Sequence, residues 1–456
     1  MPEHVSRTGV QLAGLSRYSD THLDSCTMAI DLWRVLRDDE YCPVQPPVSG
    51  RVSGARYGVA IDLGTTQLRL SLWDLQTPKR LAGRSGLNPQ MAQGADVLTR
   101  LTKAARSAQA AEHIGALAQQ AIGQALAEMA AASGIALAEV DEVFLVGNTA
   151  MLSLLAGKNH ALLLQPEYWT QRLDCQPQDV SFLRTAWGVA ETAAIHFVPP
   201  LGGFVGSDVL AGVIATRLTE QTPGALLIDF GTNSEIALWD GQVLRVTSAA
   251  GGPAFEGSGI ACGMPGEAGA IYRVRGQPDQ TCECEVLGGG AALGLCGSGL
   301  VDGIAWLRRS DQLDKLGRFT TRGTSVQLME HIALHPRDID VFQRAKAAIG
   351  AGVLWLCAQA GMPLTELHRV CACGAFGRLL DVVNAQSIGL LPSVPVPTVE
   401  LQGNTALAGC EMLLLSKDAS HTLQALLASA QLHNMAQESA YERLFVENLY
   451  LQPMQT

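Results

Sequence analysis

The chain contains no Gly-x-x-x-x-Gly-Lys-Ser/Thr segment, so a nucleotide bound here is not held by a P-loop. It contains no Cys-x-x-Cys either. Its eleven cysteines are scattered, and Cys282-x-Cys284 and Cys371-x-Cys373 are the only close pairs. That spacing argues against zinc or iron–sulfur ligation and for reduced, inert thiols. The ten histidines form no His-Glu-x-x-His motif, the one His-x-x-x-His spacing being His331-Ile332-Ala333-Leu334-His335, and Ser298 sits in Gly297-Ser298-Gly299 rather than in Gly-x-Ser-x-Gly. Neither a zinc hydrolase nor a nucleophile elbow is indicated. Charged residues make up only 16% and the net charge is −11, without the clustered Lys and Arg of a nucleic-acid surface. Met1 to Asp20 lacks a basic region followed by an apolar one, which predicts a cytoplasmic protein. The longest apolar stretch, Ala347 to Leu364, contains Gln359 and three glycines and ends at Pro363, so it reads as a buried helix and not as a membrane span. The expected partners are small molecules or other proteins.

With 456 residues, 47% of them hydrophobic, the chain can bury at least two cores. Two short segments repeat one design. Tyr57-Gly58-Val59-Ala60-Ile61-Asp62-Leu63-Gly64-Thr65-Thr66 and Ala225-Leu226-Leu227-Ile228-Asp229-Phe230-Gly231-Thr232-Asn233 are apolar runs ending in Asp-x-Gly-Thr, as β-hairpins with tight glycine turns would read. At such a turn glycine lets backbone N–H groups approach phosphate oxygens, threonine adds a hydroxyl donor, and aspartate can hold a hydrated Mg²⁺. The duplication suggests a domain that grips both ends of a polyphosphate. Gly64, Thr65, Thr66, Gly231, Thr232 and Asn233 are therefore the expected phosphate contacts, and Asp62 and Asp229 are expected to face Mg²⁺ through water.

Residues 1–55 are polar and proline-containing, and they read as an extension with a short helix around Met28 to Arg37 and then a linker. Residues 56–220 form the expected first lobe and 221–420 the second, with a helix and tail over 421–456. Strands alternating with helices imply α/β architecture. Asp208 opens a small-residue helix after Gly206-Ser207 and serves either as its cap or to orient an attacking water. Glu235 alternates either inward or outward on its strand. Glu256, set in Gly252-Pro253-Ala254-Phe255-Glu256-Gly257, is a carboxylate among glycines in the predicted cleft, which makes it a catalytic candidate with Asp62, Asp208 and Asp229. The Glu447 to Gln452 run has the look of a protease-tag remnant, but its Leu451 and Pro453 favour native sequence.

The order of elements resembles the actin-like (ASKHA) ATPase superfamily, a duplicated ribonuclease H-like fold with two lobes around a nucleotide cleft. In that pattern the segments at Asp62 and Asp229 look like the two phosphate loops, and the helices after Asp208 and Gly403 like the connecting helices. Gly374-Ala375-Phe376-Gly377 looks like the adenosine loop, with Gly374, Gly377 and Arg378 framing the adenine and ribose. The finer match is to the ATP-dependent reductive activators of corrinoid proteins. It is carried by Asn88-Pro89-Gln90, Gly94-Ala95-Asp96-Val97, Gly147-Asn148-Thr149-Ala150-Met151, Gly231-Thr232-Asn233-Ser234-Glu235, Gly297-Ser298-Gly299-Leu300-Val301-Asp302, Ala345-Lys346-Ala347-Ala348-Ile349 and Ile388-Gly389-Leu390-Leu391-Pro392. The resemblance implies an ATPase using ATP and Mg²⁺, a homodimer, and a corrinoid partner returned from Co(II) to Co(I). Such proteins characteristically carry a ferredoxin-type cluster. Here only Cys26 and Cys42 precede the ATPase, so no iron–sulfur cluster is expected in this chain and the electrons are expected from a separate ferredoxin or reductase. Two other uses of the same cleft are a small-molecule kinase and a nucleotide-binding regulatory module.

Overall fold

The computed structural model describes residues 33–44, 54–251, 253–277, 281–320, 325–436 and 438–455. Two six-stranded sheets carry the architecture. The first uses β1 (Trp33–Val35), β2 (Tyr57–Leu63), β3 (Gln67–Asp74), β4 (Lys79–Leu87), β5 (Val140–Gly147) and β6 (Ala194–Phe197), in the order β1-β4-β3-β2-β5-β6. The second uses β7 (Ala225–Phe230), β8 (Ser234–Trp239), β9 (Leu244–Ala249), β15 (Arg369–Cys373), β16 (Val399–Leu401) and β17 (Ala430–Leu432), in the order β16-β15-β7-β8-β9-β17. Between β9 and β15 lie a three-stranded sheet of β10 (Ala270–Gly276), β11 (Cys282–Val286) and β12 (Gly294–Leu295), and the pair β13 (Val326–Met329) and β14 (Ile332–Leu334).

Without the edge strands β1 and β17 the two large sheets have one plan. Three antiparallel strands run outward from β2 or β7, and two parallel strands flank the other side of that same strand. The duplication read from two turns is thus a duplication of whole lobes, and the fold is the expected mixed α/β one. Strand β2 is buried along its length, which is why it reads as an unbroken apolar run instead of alternating.

The first lobe adds α1 (Val97–Ala104), α2 (Ala108–Ser133), α3 (Thr149–Ala156) and α4 (Ser181–Trp187). Ser107 caps α2 through the Ala110 N–H, and Gly134 ends it in the left-handed region at φ 66°. Helices α5 (Asp208–Thr216) and α10 (Thr405–Leu415) connect the lobes. They cross so closely that a β-carbon at Gly409 would lie 1.9 Å from the Ala211 carbonyl oxygen, so the contact requires glycine. The second lobe has α6 (Gly297–Arg309), α7 (Pro336–Ala360), the single turn α8 (Gly374–Gly377) and α9 (Val382–Ser387), and α11 (Ala419–Ser429) and α12 (Ser439–Glu447) follow α10. One core joins Ile61, Leu70 and Leu145 to Ile114 and Ile122 of α2. Another joins Ile228 and Ile236 to Ile304, Phe342 and Ile349 of α6 and α7.

The ends of the chain depart from expectation. From Trp33 the anticipated helix is instead β1, antiparallel to β4, with Trp33 buried in the first core and Arg34 and Val35 outward. Pairing with an open sheet edge outweighs local helix propensity there. Residues 28–32, Cys26 and the Pro46-Pro47 stretch lie outside the described residues. At the other end a helix and tail resolve into α11, the short strand β17 beside β9, and α12. Leu451 and Met454 are buried. Gln343, Lys346 and Arg308 donate to the carbonyls of Leu449, Tyr450 and Leu451 at 2.7, 2.7 and 3.1 Å. Glu447 to Gln452 is therefore an integral part of the second lobe. Among the described residues no helix is long and apolar enough to cross a membrane, and Ala347 to Ala360 lies within the buried helix α7.

Candidate functional site

Each Asp-x-Gly-Thr segment is a hairpin turn. Gly64 N–H donates to Gln67 O and Gly231 N–H to Asn233 O, both at 3.0 Å. A β-carbon at Gly64 would sit 2.7 Å from the Gln67 carbonyl, so the tight turn excludes a side chain. Asp62 lies opposite Arg69 in the β2–β3 pairing, and Asp229 opposite Glu235 in β7–β8. The two turns meet: the hydroxyls of Thr66 and Thr232 lie within hydrogen-bonding distance of each other, and both donate to Glu256 Oε2, at 3.4 and 3.3 Å. Glu256 therefore faces both lobes.

Four further carboxylates, Asp62, Asp208, Asp229 and Glu235, share the space beside these threonines. Burial pushes Asp208 up to about 7, and the charges of Asp62 and Asp229 add to it. Burial and then Asp62 likewise push Asp229 up to about 7, against the opposing pull of Arg69. Burial, followed by Asp208 and Asp229, holds Glu235 well above the ordinary carboxylate range. Asp62 is raised by burial, while Arg69 and an Asn404 hydrogen bond at 2.8 Å pull it down. Each shift has the sign expected for acids removed from water and set beside like charges. Glu235, whose direction the sequence left open, points inward and belongs to the cluster.

The helix ends hold these groups in place. Ser207 is the cap residue of α5, but its hydroxyl accepts from Gly147 N–H at 3.2 Å, while Ser207 N–H donates to Gly147 O at 3.0 Å. Asp208 is the first helical residue, its carboxylate accepting the Val209 N–H at 3.0 Å and its own backbone N–H rather than an N–H two or three residues on, so it does not act as a conventional N-cap. Asn404 caps α10 by accepting the Leu407 N–H and donates to Asp62, joining the second connecting helix to the first turn. Sequence reading missed Asn404 and Arg69; an Asn ahead of an apolar helix signals a cap, but not what its amide meets.

Gly374 has φ 90°, and a β-carbon there would lie 2.6 Å from Phe230 O and 2.9 Å from Asp229 Oδ1, so the expected adenosine loop abuts the second turn. Phe376 of that loop packs on Phe230 and Phe255, with ring centroids 5.0 and 4.9 Å apart, and so couples the loop to the strand of Asp229 and the segment of Glu256. Gly377 turns back against Ala372 O, and Arg378 ends α8 on the exposed surface. Thr65 is buried behind the first turn, and Asn233 borders a cavity of about 160 Å³ with Asn148, Trp169 and Phe204.

Among the described residues no three His, Cys, Asp or Glu side chains are arranged to chelate a metal directly. The donor set suits a cation that keeps its waters. Mg²⁺ dehydrates reluctantly and prefers oxygen, and Asp62 and Asp229, desolvated and repelling each other, offer oxygens at the C-terminal ends of β2 and β7.

Residues 224–456 match the protein family described as the C-terminal domain of RACo, the ASKHA domain, and residues 57–221 match the RACo middle region. The chain belongs to the RACo family. The boundary between the two matches falls just before β7, where the second lobe begins. Similar proteins include the corrinoid activation enzyme RamQ of Eubacterium limosum, 31% identical across 79% of this chain and 65% of that protein. Another is the [Co(II) methylated amine-specific corrinoid protein] reductase of Methanosarcina barkeri, 27% identical across 79% of this chain and 70% of that protein. Among solved structures, a reductive activator for corrinoid, iron–sulfur protein superposes with a TM-score of 0.77 at 28% identity, covering 89% of this chain and 68% of that one. The chain thus spans about two thirds of the length of these relatives.

Proposed function

We propose that this chain is an ATP-binding and ATP-hydrolysing activator that drives a corrinoid protein from Co(II) to Co(I), with electrons from a ferredoxin-type donor outside the described residues. The observation that carries the reading is the meeting of Thr66, Thr232 and Glu256 from two lobes beside carboxylates of both, in a family whose relatives are named for corrinoid activation. In this reading the turn N–H groups and the hydroxyls of Thr66 and Thr232 bind phosphate oxygens. Gly374 admits the adenosine, and Gly377 and Arg378 frame it. Asp62 and Asp229 hold Mg²⁺ through water, and the ion neutralises polyphosphate charge. Asp208 and Glu256 orient the attacking water and accept its proton, a role suited to carboxylates whose pKa values are raised toward neutrality.

The use of ATP is conformational. Closing two lobes on the polyphosphate favours one state of the protein, a bound partner shares that preference, and hydrolysis releases it. The protein acts as a homodimer in the cytoplasm. The deciding experiment measures phosphate release by the purified chain with Mg·ATP, alone and with a Co(II) corrinoid protein, while reduced ferredoxin is present and the cobalt spectrum is followed. Turnover rises with the corrinoid protein, and Co(I) forms only with ATP. Phosphate release that no corrinoid protein alters, with cobalt remaining Co(II), overturns the assignment.

A further inference from the structure

Asn88-Pro89-Gln90, Gly94-Ala95-Asp96-Val97 and Gly147-Asn148-Thr149-Ala150-Met151 have no place among the phosphate, metal or adenosine contacts. The fold brings all three behind the first turn. Asn88 Nδ2 donates to Gly64 O at 2.9 Å, and Asn88 N–H donates to Thr66 O at 2.8 Å. Between them, Arg100 Nη1 donates to Thr65 O at 2.7 Å. Three consecutive carbonyls of the turn are thus held from one side.

Local structure makes this possible. Gln90 N–H donates to Asn88 Oδ1, fixing the amide so that its NH₂ faces the turn, and the Gln90 side chain is itself held by Ile114 O. Asp96 caps α1 through Thr99 and aims Arg100 inward from the first turn of that helix. A β-carbon at Gly94 would lie 2.6 Å from Thr99 Cγ2, so glycine lets the chain fold back over the cap, where Arg100 Nε donates to Gly94 O at 2.8 Å. Met151 Sδ lies 3.1 Å from Arg100 Nη1.

Arg100 is wholly buried, and its hydrogen-bond acceptors are carbonyls and a thioether rather than a carboxylate. Asp96, the acid nearest along the chain, spends both its oxygens on Thr99. Among the described residues Nη2 has no hydrogen-bond partner. A guanidinium held this way is costly, and mere packing at the site would be served better by an apolar side chain. What the arginine adds is direction and charge. In a planar trans peptide the C=O of one residue and the N–H of the next point opposite ways. Holding the carbonyls of Gly64 and Thr65 backward therefore aims the N–H groups of Thr65 and Thr66 forward, with a buried positive charge behind them that no carboxylate contacts by hydrogen bond and only Asp96 offsets from a distance.

We infer that Asn88 and Arg100 are positioning residues that preset the first turn for a polyphosphate anion, with its N–H groups aimed before the nucleotide arrives. The inference rests on the nucleotide reading of the cleft. Preorganised donors bind an anion without the cost of ordering them, and a buried cation behind them strengthens the attraction.

The test is calorimetric titration of the full chain with Mg·ATP and, separately, with adenosine, for the wild type and for Asn88→Ser, Asn88→Asp, Arg100→Lys and Arg100→Met. Affinity for Mg·ATP falls about 10- to 100-fold in Asn88→Asp and Arg100→Met. Arg100→Lys restores part of it, and adenosine affinity stays unchanged. A general loss of structure would weaken both ligands together, so the ratio of the two affinities is the readout. A wild type that binds no nucleotide overturns the reading of the cleft. A wild type that binds ATP, with folded variants that keep its ratio of affinities, overturns this inference alone. If the arginine variants fail to fold, Asn88→Ser decides, since it removes the amide and keeps the backbone N–H.

Discussion

Thr66 Oγ1 and Thr232 Oγ1 lie 3.0 Å apart although 166 positions separate them in the chain. They belong to corresponding turns of two lobes with one strand plan but not to the same place in each: Thr232 is the counterpart of Thr65 and Asn233 that of Thr66, so the contact joins adjacent positions of the two copies. Both hydroxyls turn to Glu256, which makes that carboxylate the common acceptor of the two halves.

Glu256→Gln keeps an oxygen for the threonines and removes the charge. Mg·ATP affinity stays within about threefold of wild type while turnover falls about 100-fold or more, the size of a lost general base. Phosphate release and calorimetry on one preparation check this, and wild-type turnover in the variant would remove Glu256 from the chemistry.

Asp229→Asn trades binding for stability. A carboxyl raised to about 7 in the fold from an ordinary 3.8 costs stability fully above pH 7 and not at all below about pH 4. The ligand-free variant is therefore more stable than wild type by about 1–2 kcal/mol at pH 8, with the gain vanishing toward pH 4. Its affinity for Mg·ATP falls about tenfold. Thermal melts across pH, with and without Mg·ATP, measure both.

Gly374→Ala forces a β-carbon between Phe230 O and Asp229 Oδ1 at φ 90°. The variant loses about 1–3 kcal/mol in urea denaturation, and nucleotide binding weakens because the loop must move off the second turn. An alanine variant with wild-type stability and ATP affinity would show that the loop relaxes freely.

Lys346 is buried, donates to Tyr450 O, and is held down to about 7 by desolvation. Below pH 7 the native state must carry a buried charge; between pH 7 and 10.5 the unfolded chain is protonated and the native lysine is not, so the penalty fades as pH rises. The stability of wild type relative to Lys346→Met therefore climbs by ~3 kcal/mol from pH 7 to 10. Urea unfolding of both proteins at several pH values checks it, and a flat difference would mean that Lys346 stays charged in the fold.

The elements legible in the sequence were those written by local rules. The glycine turns at Gly64 and Gly231 announce hairpins through their own geometry, Ser107 and Gly134 bracket α2, and the small residues of α5 and α10 mark a close crossing. Strand β1 stands where the sequence predicts a helix because three residues at a sheet edge owe their conformation to β4, and β17 carries no local signal because it owes its own to β9. The side that Glu235 takes is not legible in the sequence, because strand alternation does not say which face the cleft will take.

The sequence by itself determined that two Asp-x-Gly-Thr hairpins exist, that helices of small residues follow each lobe, and that the whole has an actin-like order. Those are properties of neighbours along the chain. Only the tertiary structure decided that Thr66 meets Thr232, that Asn404 reaches Asp62, that Asp62 and Asp229 help raise the pKa of Asp208, and Asp208 and Asp229 that of Glu235, and that Asn88 and Arg100 stand behind one turn. The energies of those groups depend on burial and distance, and neither quantity exists until the two lobes have folded against each other.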